Sequence, residues 1–111
     1  MILLEGKLED ELSKIIRAKA PQEAVGLILN EDEVVELPNH SSTPTNHFEV
    51  HKVDILGIIG HLDIDPQDVI FWHSHPSGGI GPSRTDLQQK TLFHYHLVLA
   101  LIDGTIVPSW Y

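Results

Sequence analysis

The chemistry in this chain is concentrated in His73-Ser74-His75-Pro76, followed after six residues by Ser83-Arg84-Thr85-Asp86. In an extended segment, residues two apart face the same way, so His73 and His75 can aim both imidazoles at one point while Ser74 turns aside. The Pro, Gly and Ser loop of residues 76–82 then brings the chain round. Asp86, in the first turn of a following helix, can supply an oxygen as third donor. Two imidazoles and one carboxylate leave the fourth tetrahedral position of a Zn²⁺ ion open to water, which such an ion makes acidic near neutral pH. Each fragment alone has a plainer explanation. His-x-His can be two packing or surface histidines, Ser83 with Asp86 a helix cap, and the loop a flexible connection. Their occurrence in this order, directly after a short apolar run, favours the metal reading.

Composition narrows the chemistry further. With no cysteine among 111 residues, disulfides, thiolate metal sites and cysteine nucleophiles are excluded, and a metal must be held by imidazole and carboxylate. Seven Lys and Arg against 16 Asp and Glu give a formal charge of -9, which repels phosphate backbones and anionic lipid headgroups. Nucleic acid and membrane surfaces are therefore not expected partners. The opening MILLEGKLEDELSK lacks the basic start and long apolar stretch of a signal peptide, and nothing approaches the ~20 apolar residues of a membrane span. A cytoplasmic location is expected. A chain of this length buries about two-thirds of the surface of its unfolded form, so one domain covering residues 1–111 is expected.

The elements that must position these residues follow from periodicity. Leu8, Leu12, Ile15 and Ile16 make the stripe of an amphipathic helix that should end before Pro21. Residues 25–29 (VGLIL) and 33–37 (EVVEL) flank a turn-like Asn30-Glu31-Asp32 and predict a β-hairpin with Glu23 at its entrance. Residues 38–47 form a loop, followed by a brief extended piece at 48–50. Val53, Leu56 and Ile59, with Ile55 and Leu62, predict a second helix ending at the break of residues 63–66. Residues 68–72 (DVIFW) read as a buried strand leading into His73, and residues 83–90 as a helix capped by Ser83. A strand at 97–102, extending back toward Tyr95, turns at Asp103-Gly104 into a last strand at residues 105–107. This order predicts an α/β (α+β) fold, a mixed β-sheet with flanking helices. Trp72 reads as core. His94-Tyr95-His96 repeats the His-x-His spacing without a following carboxylate and reads as structural or surface residues. His40, His47, His51 and His61 belong to no recognisable constellation.

The motif resembles the signature of the JAMM (MPN-plus) metallopeptidases, His-x-His-Pro, six residues, Ser-x-x-Asp, in full. That family also carries an upstream Glu-x-x-Gly, matched here by Glu23-Ala24-Val25-Gly26. The resemblance implies an MPN/JAB (cytidine deaminase-like) fold with Zn²⁺ held by His73, His75 and Asp86. Glu23 would hold a water, take its proton and pass it to the leaving amine, and Ser83 would donate a hydrogen bond to the oxyanion. The activity implied is peptide or isopeptide hydrolysis, with a protein or peptide as substrate. The small size resembles prokaryotic or viral members. PQEAVGLIL, the loop of residues 39–44 with Phe48, and HSHPSGGIGPS resemble the amino-terminal domain of phage tail assembly proteins of the K type, which would make the chain virion-associated. The competing relatives act on the Gly-Gly tails of ubiquitin-like or sulfur-carrier proteins. A non-catalytic zinc-stabilised interaction module would use the same donors without turnover, and a small amidohydrolase would share the mechanism. Glu23, as a base, speaks for turnover. No feature of the sequence sets an oligomeric state.

Overall fold

The computed structural model describes residues 4–60, 64–88, 93 and 95–111. The first apolar stripe forms α1 (Gly6–Lys19), which ends before Pro21 and lays fully buried Leu12 and Ile16 on one face of a sheet. The hairpin forms as β1 (Val25–Leu29) and β2 (Glu33–Leu37), its turn made by Asn30 and Glu31 at φ 51° and 63°. Then come α2 (Lys52–Ile59), a 3-10 turn (Pro66–Asp68), β3 (Val69–His75), α3 (Arg84–Gln88), β4 (Tyr95–Ile102) and β5 (Thr105–Trp110). Sheet order is β2-β1-β3-β4-β5, with β3 and β4 parallel and the other neighbours antiparallel. The chain therefore folds as a mixed five-stranded sheet with helices against it.

Four details differ from the sequence reading. β3 runs on through both histidines rather than stopping at Trp72, because β1 and β4 supply ladder partners on both sides as far as Val25↔His73 and His75↔Ala100. β5 continues through Pro108, which an edge strand tolerates because one row of its backbone groups has no ladder partner among the described residues. The stretch at 48–50 joins no strand. In α2, Val53 and Leu56 face outward, 70% and 60% exposed, while Ile55, Ile58 and Ile59 pack on the sheet. The run KVDILGII is apolar on nearly every side, so its periodicity could not choose a face. His61, Leu62 and Asp63, the end of the expected 83–90 helix and His94 lie outside the described residues.

The two faces of the sheet have separate cores. Leu12, Ile16, Ala24, Ile28, Ile70, Trp72, Leu97 and Leu99 fill the α1 side. Val25, Leu27, Leu29, Phe48, Val69, Phe71 and Phe93 fill the other. Alternation along β3 sends Trp72 to the first side, as expected for a core residue, and His73 and His75 to the second. Gly26 pairs with Trp72, and a Cβ at Gly26 would stand 2.7 Å from the indole Cζ2 and run into the Val35 carbonyl. The glycine of Glu-x-x-Gly thus lets the indole lie flat on β1, where its Nε1 donates to the Leu27 carbonyl at 3.2 Å. That close packing fixes β1, and with it Glu23, against β3.

Candidate metal centre

The antiparallel register of β1 and β3 pairs residues whose numbers sum to 98, as in Val25↔His73. The pairing extends one step past the ladder. Ser74 N–H donates to the Ala24 carbonyl at 2.9 Å, and Ala24 N–H donates to Ser74 Oγ at 2.8 Å. Continuing the register brings Glu23 beside His75 and onto the face shared by His73 and His75. The residue between the two histidines is therefore the lock that holds the glutamate next to them across 50 positions of sequence.

Asp86 reaches the same point from α3. Its Oδ2 lies 3.0 Å from His75 Nε2 and 3.1 Å from His73 Nε2, and the two Nε2 atoms are 3.3 Å apart. With donor bonds of about 2.0–2.1 Å, a tetrahedral ion holds neighbouring donors about 3.3 Å apart, so this triangle is within a few tenths of an ångström of a zinc donor set. Glu23 has a carboxylate oxygen within 4.8 Å of imidazole nitrogens of both His73 and His75. Glu23, His73 and Asp86 are buried and His75 is half-buried.

The outer atoms of the rings show what the inner ones need. His75 Nδ1 lies 2.9 Å from the Gly79 carbonyl, which can only accept, so this nitrogen carries the hydrogen. In the neutral ring the Nε2 lone pair then points at a carboxylate oxygen and a second imidazole nitrogen, a convergence that only a proton or a cation relieves. His73 Nδ1 sits 3.3 Å from the Tyr111 hydroxyl, and Phe48 covers the His73 ring with centroids 4.5 Å apart. Such outer bonds fix ring orientation and tautomer in metal sites. The chemistry of the donor set fits a Zn²⁺ ion held by His73, His75 and Asp86.

Ionisation follows from burial and charge. Burial raises the Glu23 carboxyl to about 7; His75 opposes this and Asp86 adds to it. Burial lowers His73, only partly offset by Asp86. His75 is raised, first by its hydrogen bond to Asp86. For Asp86, burial pushes upward, but hydrogen bonds from His73, His75 and the Ser83 N–H prevail and hold it well below the usual carboxylate range. Burial, then repulsion by Asp86 and Glu23, raises the Tyr111 hydroxyl above its ordinary value.

Ser83 caps α3 in a reciprocal arrangement. Its Oγ accepts from Asp86 N–H at 3.1 Å while its own N–H donates to Asp86 Oδ2 at 2.8 Å. This orients the carboxylate, and Ser83, an exposed residue, sits at the margin of the centre.

Several supporting residues escaped the sequence reading. Tyr111 arrives because the β4–β5 register, summing to 207, sets it opposite His96. Asn39 Nδ2 donates to the Glu23 carbonyl at 3.0 Å and the His47 carbonyl at 3.1 Å. His96 is buried, its ring against Phe71 and Tyr111, which is the structural one of the two roles expected of it. The expectation that His40 and His51 belong to no constellation is corrected: they form a second group with Asp54, because the loop folds back on the start of α2.

A mixed sheet with flanking helices and this donor set at the end of its central strand defines a JAB/MPN-type domain. The family model described as prokaryotic homologs of the JAB domain matches residues 5–110, and the chain belongs to that family. A search of curated proteins returns no match. No helix among the described residues is long and apolar enough to cross a membrane.

Proposed function

We propose that this chain is a zinc-dependent peptidase that hydrolyses peptide or isopeptide bonds, with Glu23 as general base. The observation that carries this reading is the arrangement of His73, His75 and Asp86 donors, 3.0–3.3 Å apart, beside a buried carboxyl raised to about 7. A Zn²⁺ ion held there would supply a Lewis acid and make a water acidic near neutral pH. Glu23, titrating near neutrality, takes the proton from the attacking water and returns it to the leaving amine. Ser83, at the margin, meets the oxyanion through its hydroxyl, which can rotate between capping and donating. Asp86 stays ionised throughout and balances the charge of the ion.

The substrate proposed is the tail of a protein or peptide, either a ubiquitin-like or sulfur-carrier protein ending in Gly-Gly or a cell-wall peptide met during phage tail assembly. The net charge of -9 gives no support to a nucleic-acid substrate. The experiment combines zinc content with hydrolysis of ubiquitin-like fusions and cell-wall peptides by wild type, Glu23→Gln and Asp86→Ala. Wild type should cleave one substrate class. Glu23→Gln should hold equal zinc and turn over about 10²–10⁴-fold more slowly, the usual worth of a positioned base. Asp86→Ala should lose the zinc of this centre. Equal zinc in wild type and Glu23→Gln without hydrolysis by either would replace this reading with a zinc-stabilised interaction module.

A further inference from the structure

We propose that His40, His51 and Asp54 form a second metal site, for a divalent transition-metal ion, that pins the loop of residues 38–51 to the first turn of α2. It stands apart from the main centre and does not depend on that centre hydrolysing anything.

The geometry comes from both ends of the loop. His51 is the last extended residue before α2, with φ -103° and ψ 136°, and Asp54 N–H donates back to its carbonyl at 3.0 Å, so the two side chains share one turn. His40 is brought to them from the far end. Its N–H donates to the Glu49 carbonyl at 2.9 Å, while Asn39 Oδ1 accepts from the N–H groups of Ser41 and Glu49. The His40 and His51 rings stack with centroids 3.8 Å apart and planes 9° from parallel. His40 Nε2 is 2.8 Å from Asp54 Oδ2, and donor atoms of all three residues lie within 4.8 Å of one another. Glu49, 3.6 Å from His51 Nε2, stands ready as a further oxygen donor.

Two imidazoles and a carboxylate select zinc, copper, nickel or cobalt over magnesium and calcium, which take oxygen donors. Lone pairs lie in the ring planes, so the stacked rings must hinge for both to face one ion. Their side chains, 36% and 49% exposed, have room to do so. The loop so pinned supports the main centre: Asn39 holds the Glu23 carbonyl, and Phe48 covers His73. An ion here would stiffen both supports.

The probe is zinc itself, measured per chain after equilibrium dialysis. Wild type should hold two ions, His51→Ala one, Asp86→Ala one and the double variant none. In the Asp86→Ala background, zinc should raise Tm, magnesium should not, and the rise should vanish on adding His51→Ala. Should His51→Ala fail to fold, judged by the circular dichroism of the metal-free chain, His40→Gln and Asp54→Asn provide the same comparison at more conservative changes. One ion in wild type, lost with Asp86→Ala and kept with His51→Ala, overturns this inference and leaves the main centre standing. One ion lost with His51→Ala and kept with Asp86→Ala supports it and overturns the main centre.

Discussion

Replacing Ser74 by alanine tests whether the residue between the histidines is what holds Glu23 in place. Ser74 is fully buried, and its Oγ is the acceptor for the buried Ala24 N–H at 2.8 Å. The substitution removes that acceptor and leaves the N–H enclosed, at a cost of about 1–3 kcal/mol. For a chain of this length about 2 kcal/mol corresponds to a fall in Tm of about 8 °C. Urea unfolding should show the loss as a lower midpoint with an unchanged slope. Amide hydrogen exchange supplies the local readout: protection at Ala24 should drop more than at Val98, which lies on the other side of β3. Zinc content should persist, since β4 still holds β3, while turnover falls as Glu23 loses its anchor. Ser77→Ala, on the exposed loop, is the control. A change under about 0.5 kcal/mol with Ala24 still protected would refute the reasoning.

Three other perturbations follow from the same geometry. Gly26→Ala drives a Cβ into Trp72 and the Val35 carbonyl, so its loss in urea unfolding should reach or pass the upper end of the ~1–3 kcal/mol typical of overpacking. Tyr111→Phe removes the hydroxyl facing His73 Nδ1 and should weaken zinc binding by about tenfold in a competition titration, with little change in fold. Glu23→Gln should change how the stability of the metal-free chain depends on pH. A carboxyl raised from 4.5 to about 7 on folding costs nothing below pH 4.5, costs progressively more as pH rises between those values, and costs most above 7. After allowance for residual solvent screening, the glutamine variant should be about 1–2 kcal/mol more stable at pH 8 and equal to wild type at pH 4. Equal stability at both values would show that the carboxyl is not desolvated.

The centre was legible in the sequence wherever a local rule could reach it. Period-two alternation put His73 and His75 on one face, and the Ser-x-x-Asp cap put Asp86 in the first turn of α3. Glu23 was legible only through resemblance, because its place depends on a strand register that periodicity does not reveal. Tyr111 and Asn39 lay beyond reach for the same reason: one enters through the β4–β5 ladder, the other through side-chain bonds across a loop. The orientation of α2 was misread because its apolar residues surround the helix, so only the sheet chooses which of them to cover. The His40–His51 group needed the backbone bond from His40 to Glu49, which no spacing rule encodes.

The histidines ride on a strand bonded along both edges, whereas Asp86 reaches the centre from α3, on the far side of the loop of residues 76–82. Opening the imidazole side means breaking the middle of the sheet, whereas freeing the carboxylate means breaking the local bond it accepts from the Ser83 N–H. Exchange of a bound ion would thus proceed by a hinged arm, with the imidazoles releasing last. The rate of metal loss to a chelator would then report on that loop rather than on the stability of the whole fold.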